Sequence, residues 1–167
     1  APGRDAARGP LGTRPTVRTL KKAVGIGMVS DGASLPEKFR LLRECGFDGV
    51  EINAPGDTDP DRIAEALEST GLAVSEVVDS VHWAKPLNAP DEATRAAGVK
   101  GLEDALRAAK RVGAGSVLLV PAVVAADKPY DAAWKLSQEG IRKVLPLATE
   151  LGVKIAIENV WNAFLLS

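Results

Sequence analysis

Cysteine, histidine and methionine each occur once in these 167 residues, as Cys45, His82 and Met28. A single cysteine closes no internal disulfide, so packing alone must hold the fold, and nothing covalent betrays an oxidising compartment. One histidine cannot furnish the imidazole clusters of multi-zinc enzymes. No apolar run approaches the ~18 residues of a membrane span. A net charge of −1 provides no long-range field to gather nucleic acid or an anionic membrane. Neither a G-x-G-x-x-G fingerprint nor a phosphate loop appears in the first apolar unit, "GIGMVSDGASL", which argues against a nucleotide-binding open sheet.

What is present is an ordinary globular composition, 46% hydrophobic and 26% charged, in a chain long enough to bury one core. The charge is unevenly spread. Residues 1–22 carry four arginines and two lysines against Asp5, a net of +5 that leaves −6 for the remainder. This stretch, rich in Gly and Pro and without apolar period, is expected to be a flexible basic arm. It has no aromatic residues interleaved to stack on bases, so nucleic acid is not the expected partner. The first residue is Ala1. A processed or trimmed N-terminus follows as an expectation, with a cytoplasmic location as the default and export after loss of a leader as the alternative. Cys45 falls on the apolar side of a helix end and is expected to be a small buried thiol.

From Ala23 onward, short β-rich runs alternate with longer helical ones. "AVGIGMV", "GVEIN", "AVSEVVD", "SVLLVPA" and "KIAIENV" are nearly continuous in apolar character, as for strands covered on both faces. Between them, leucines and alanines recur at threes and fours. Four times a helical run ends on Gly plus an apolar residue, at Gly46, Gly71, Gly113 and Gly152. Glycine takes the left-handed conformation that ends a helix, and a strand follows within a few residues, so each unit repeats one device. Ser34 with Glu37 reads as a capping box; Asp59 and the "NAPDE" stretch mark two further helix starts. Pro146 is expected to kink or divide the last helical run. The repeated βα units predict an α/β fold, a partial (β/α)8 barrel with about five of eight units over residues 23–167.

In such folds the reactive groups gather at the C-terminal ends of strands. Those ends carry Ser30 and Asp31, Glu51 and Asn53, Asp79 to His82, Pro121, and finally Glu158 with Asn159, Trp161 and Asn162. An ionised carboxylate beside apolar strand residues costs several kcal/mol unless a cation or hydrogen-bond donors offset it. Glu158 is therefore either an exposed rim carboxylate just past the last buried residue or a functional group.

"IAIENVWNAFLLS" resembles the fifth-strand motif of the sugar phosphate isomerase/epimerase family, the xylose isomerase-like TIM barrels. "GFDGVEIN", "VVDSVHW" and "LLVPAVV" extend the resemblance, from about Lys22 to the last residue. It implies that Glu158 is both a ligand of one divalent cation (Mn, Mg, Co or Zn) and a catalytic base flanking a sugar or sugar phosphate. It also implies that the remaining metal ligands arise from strands beyond this chain, and that the chain alone is inactive. Trp161, Asn162 and Phe164 depart from the ketose 3-epimerase pattern, and Asn159, Trp161 and Asn162 are expected near the substrate. His82, Trp83 and Glu51 are expected there too: His82 as a hydrogen-bonding wall residue, the tryptophans as apolar faces for a sugar ring, Glu51 as a hydroxyl partner. For the tryptophans core packing is an equal alternative, and for Glu51 a surface role. The same barrel type hosts zinc-dependent DNA-repair endonucleases, which need several histidines and a basic groove. A non-catalytic half-barrel that binds a ligand, or self-associates into a homo-oligomer through open strand edges, is the main alternative.

Overall fold

A computed structural model describes residues 20–32 and 34–165. The basic arm expected over residues 1–22 falls outside this range except for its last three residues. Of these, Lys22 is fixed by its N–H on Asp48 Oδ2 at 2.9 Å and by its carbonyl, which accepts from Asp48 and Gly49 N–H.

Five strands alternate with four helices: β1 (Ala23–Gly25), α1 (Leu35–Glu44), β2 (Gly49–Ala54), α2 (Pro60–Thr70), β3 (Ala73–Asp79), α3 (Glu92–Val112), β4 (Ser116–Leu119), α4 (Tyr130–Leu151) and β5 (Lys154–Ile157). All neighbouring pairs are parallel and the sheet order is β1-β2-β3-β4-β5. Because the order never reverses, crossovers of one hand place every helix on the same face. A doubly wound sheet would need a reversal. The helices pack in sequence, α1 on α2, α2 on α3 and α3 on α4, as in the wall of a barrel.

The local signals act as expected. Ser34 accepts from Glu37 N–H while the Glu37 carboxylate accepts from Ser34 N–H, closing the capping box of α1. Asp59 caps α2 through Asp61 N–H, and Asp91 caps α3 through Thr94 N–H at 2.7 Å. Gly46, Gly71, Gly113 and Gly152 all have φ between 66° and 79°, the region where a side chain would be strained.

The core lies between the sheet and its helices. Val50, Ile52, Val77, Val117 and Leu119 meet Phe39, Leu102, Leu106 and Val144. Each large side chain buried there stabilises the fold by about 2–3 kcal/mol. Strand coverage on both faces does not hold. Alternate residues Glu51, Glu76, Ser116 and Leu118 are only half-buried, because helices cover one face and the concave face is open.

Three further expectations are corrected. The run "AVGIGMV" is not one strand: after Gly25 the chain turns into a 3-10 turn over Ile26–Met28, leaving Met28 exposed. Gly25 and Gly27 contribute no side chains to a ladder, which shortens it. Cys45 is exposed. It caps α1 in αR geometry, and Phe47 folds back to pack on the core instead. Pro146 does not divide the last helix, which runs unbroken from Tyr130 to Leu151. Its buried face, including Ala133, Ser137, Gly140, Val144 and Ala148, spans both sides of the proline and holds the helix in register.

Candidate functional site

Glu158 follows β5 directly. Its N–H donates to Leu119 O at 3.0 Å, continuing the ladder by one residue. Side chains alternate across a strand, so Glu158 shares the face of Ala156 and Lys154, opposite Ile155 and Ile157. The register Lys154–Ser116 and Ala156–Leu118 makes this the concave face. Its carboxylate is exposed, at the C-terminal rim. Across the concavity Glu51 and Glu76 are register partners on β2 and β3, and Ser116 Oγ donates to Glu76 Oε1 at 2.8 Å. Burial pushes the Glu51 carboxyl above its ordinary range, and the nearby charges of Glu76 and then Glu158 push it further. Three carboxylates thus share one open face.

His82 and Trp83 stand on the loop between β3 and α3. His82 is buried, and Nδ1 accepts the N–H of Val120, just past β4, at 3.4 Å. Burial lowers its pKa, so the ring is neutral with the proton on Nε2. In that tautomer Nε2 is a donor and has no lone pair for a metal ion. The His82 ring meets Trp83 edge to face at 5.1 Å and 79°. Trp83 stacks on Trp161 at 5.7 Å and 11°, which joins this loop to the segment after β5.

The chain after Glu158 is clamped. Asn162, buried, donates from Nδ2 to Ala122 O at 2.6 Å and accepts Phe164 N–H on Oδ1 at 3.2 Å. Its carbonyl accepts from Val124 N–H. Asn162 was expected beside a substrate; with its amide engaged at both ends, it shapes the loop. Phe164 is buried among Ala122 and Ala133. Asn159 is exposed on the same segment.

Two residues not singled out for the site hold it together. Asn88, buried, donates to Val123 O at 2.7 Å and accepts from Val123 N–H at 3.2 Å, pinning the β3–α3 loop to the β4–α4 loop. Asp79, only 1% exposed, ends β3 on the helix-facing side, and burial raises its carboxyl to about 6, against the lowering effect of the Val81 N–H it accepts. Asp79 is among the polar strand-end residues read from the sequence, and its burial follows from alternation, since it lies two residues beyond the buried Val77. Nothing local marks Asn88, whose partner lies 35 residues on.

The site thus gathers Glu158, Asn159, Trp161, His82 and Trp83 at one rim, with Glu51 on the concave floor. Among the described residues no three His, Cys, Asp or Glu side chains come close enough together to hold a metal ion. Glu158 is a single carboxylate donor and does not make a cation site by itself. Among the described residues no helix is long and apolar enough to cross a membrane.

A family model described as xylose isomerase-like TIM barrel matches residues 39–166. An L-ribulose-5-phosphate 3-epimerase of Salmonella paratyphi B is 28% identical over 155 residues, covering 83% of this chain and 54% of that protein. Its counterpart in Escherichia coli is 25% identical over 156 residues with the same coverage. The chain spans about half the length of the curated relatives it matches. In three dimensions it resembles the 3-keto-D-glucoside 4-epimerase YcjR from E. coli, with a TM-score of 0.69 and 22% identity, covering 86% of this chain and 57% of that one. This structural likeness establishes the fold, a partial barrel.

Proposed function

The chain belongs to the xylose isomerase-like TIM barrel family, and from this we propose that it forms the first five βα units of a sugar or sugar-phosphate epimerase or isomerase. Its relatives are sugar epimerases, and the observation that carries the step to this chain is Glu158, a carboxylate at the rim of the concave face and close enough to Glu51 to raise its pKa.

Glu158 takes the proton from the carbon next to a ketose or aldose carbonyl. The electron pair of that C–H bond moves into the carbon skeleton, and the carbonyl oxygen becomes the oxyanion of an enediolate. Inversion at that carbon requires a second acid on its opposite face, a group that completion of the barrel would supply, while Glu158 releases the abstracted proton to solvent; return of the proton from Glu158 to the former carbonyl carbon exchanges aldose and ketose. The neutral His82 ring, locked as a donor at Nε2 by Val120, hydrogen-bonds a substrate oxygen. Glu51, whose carboxyl is pushed above its ordinary range by burial and then by the charges of Glu76 and Glu158, hydrogen-bonds a hydroxyl. A divalent cation (Mn, Mg, Co or Zn) belongs to this proposal, with Glu158 as the one ligand offered here. One carboxylate does not make a cation site on its own. The incomplete barrel is inactive alone.

Supplied with Mn and a ketose substrate, the 167-residue chain is expected to give no turnover. Joined to three further βα units, it is expected to incorporate solvent deuterium next to the carbonyl. Turnover by the short chain, or a completed barrel that epimerises without deuterium uptake, would overturn this assignment. A non-catalytic, self-associating half-barrel is favoured by one feature: a groove of about 570 Å³ beside β5, lined by Ile141, Leu145 and Ile157. It predicts a concentration-dependent dimer in sedimentation and no turnover after completion.

A further inference from the structure

We propose that Asn88 and Asn162 are paired positioning residues: from opposite sides they clip the chain that leaves β4, and so hold His82 and Glu158 at a fixed separation. This rests on the epimerase or isomerase reading above, in which Glu158 is the base and His82 the donor.

Beyond Leu119 the chain is no longer a strand, yet its peptide groups stay bonded on both edges. A trans peptide is planar and points its C=O and N–H in opposite directions, so one unit can bond two neighbours at once. The Leu119–Val120 unit accepts the Glu158 N–H at 3.0 Å on one edge and donates to His82 Nδ1 at 3.4 Å on the other. Base and donor are thus tied to the two ends of a single rigid group. The Ala122–Val123 unit repeats the pattern: its carbonyl accepts from Asn162 Nδ2 at 2.6 Å, and its N–H donates to Asn88 Oδ1 at 3.2 Å. The Val123–Val124 unit does the same in reverse. Its carbonyl accepts from Asn88 Nδ2 at 2.7 Å, and its N–H donates to the Asn162 carbonyl at 3.2 Å.

Both asparagines are buried, at 3% and 5% exposure, where an amide costs free energy unless its donors and acceptors are met. Of the five buried polar or charged side chains among the described residues, three are His82, Asn88 and Asn162, and all three bond this one stretch. A satisfied polar network of this kind rigidifies its surroundings and specifies one arrangement. Asn162 also holds a strained residue in place: its Oδ1 accepts the Phe164 N–H at 3.2 Å across Ala163, whose φ of 61° is rare for a residue with a Cβ. None of these bonds uses a surface that further βα units would cover.

Glu158 follows β5 and His82 follows β3, with β4 between them. Their separation is therefore set by whatever crosses the end of β4. A base and a donor that act on one substrate must hold that separation closely, since a misplacement of about 1 Å can cost about a hundredfold in rate. The three peptide units and the two asparagines make that crossing.

The first measurement uses the chain as it is. Amide hydrogen exchange and the ring 15N resonances of His82 are followed in the parent, Asn88→Ala, Asn162→Ala and Val144→Ala. The last is a core substitution on α4 that lowers stability without touching the clip. Asn162→Ala is expected to speed exchange about tenfold at Val120 and Val123, whose N–H groups bond His82 and Asn88 and not Asn162. It should also move the His82 Nδ1 resonance toward a mixture of tautomers. Asn88→Ala is expected to speed exchange at Glu158 and Phe164, which it does not touch, and it decides alone if Asn162→Ala does not fold. Val144→Ala should leave the His82 tautomer unchanged. Exchange that rises only at amides bonded by the substituted asparagine itself, with His82 unmoved, shows two independent anchors and overturns the proposal.

The second measurement uses the chain joined to three further βα units, well below the melting temperature of every variant. Asn88→Ala and Asn162→Ala are expected to lower kcat for solvent-deuterium incorporation at least about tenfold with KM within about twofold, while Val144→Ala retains kcat. Asparagine variants that keep the parent kcat overturn the positioning role and leave the reaction class standing. A completed parent that takes up no deuterium overturns the reaction reading, and the positioning role with it, even where the exchange coupling is present.

Discussion

Replacing Gly98 by alanine tests how the loop bearing His82 and Trp83 is seated. In an unobstructed helix interior this change stabilises by about 1 kcal/mol, because alanine restricts the unfolded chain. Gly98 is obstructed: a Cβ there would lie 2.2 Å from the carbonyl oxygen of Lys85, and no flexible side chain can yield. Overpacking costs about 1–3 kcal/mol, and a backbone contact belongs at the upper end or lifts the loop away. The expected net effect of Gly98→Ala is a loss of about 2 kcal/mol, or roughly 4–8 °C in Tm for a chain of this size. Circular dichroism melts would measure it, and the near-ultraviolet signal of Trp83 should change in parallel. Gly115→Ala is the control, since no atom lies within 4 Å of its added Cβ, and it should fall within about 0.5 kcal/mol of the parent. A Gly98→Ala protein as stable as the parent, with unchanged aromatic signal, would refute the flush packing of this loop on α3.

Asp79 makes stability pH-dependent. Its folded carboxyl titrates at about 6, above its ordinary 3.8, so folding favours the protonated form. This contribution is fully present below the ordinary value and is lost as pH rises through 6, by on the order of 2 kcal/mol. Asp79→Asn keeps an acceptor for Val81 N–H and should flatten denaturant-melt stability between pH 4 and pH 7; an unchanged pH profile would contradict the burial of that carboxyl. Asn88→Ala removes both bonds to Val123 and should cost about 2 kcal/mol, with hydrogen exchange rising at Val123; a neutral result would show that the two loops are held by other means.

The legible parts of the fold were local. Ser34 with Glu37, and the four helix-ending glycines, act within a turn of themselves, so their chemistry reads directly from the sequence. Cys45 was misread because helical periodicity was carried one residue past the helix, where Phe47 takes the inward place. The continuous apolar runs hid the one-sided burial of the strands, since Val78 and Leu118 are apolar yet lie on the open face. At the site, Glu158 stood out as a charge closing an apolar run. The stacking of Trp83 on Trp161 and the Asn88 clamp did not, because each joins residues brought together only by the sheet.

The account turns on Glu158 and Glu51 facing the same concavity. Carboxyl-detected NMR titration of Glu51 in the parent chain and in Glu158→Gln measures that directly. Glu51 is expected to titrate above the ordinary glutamate range in the parent and to move downward once the charge at 158 is gone. An identical Glu51 titration in the two proteins would place Glu158 out of reach of that face and contradict the account.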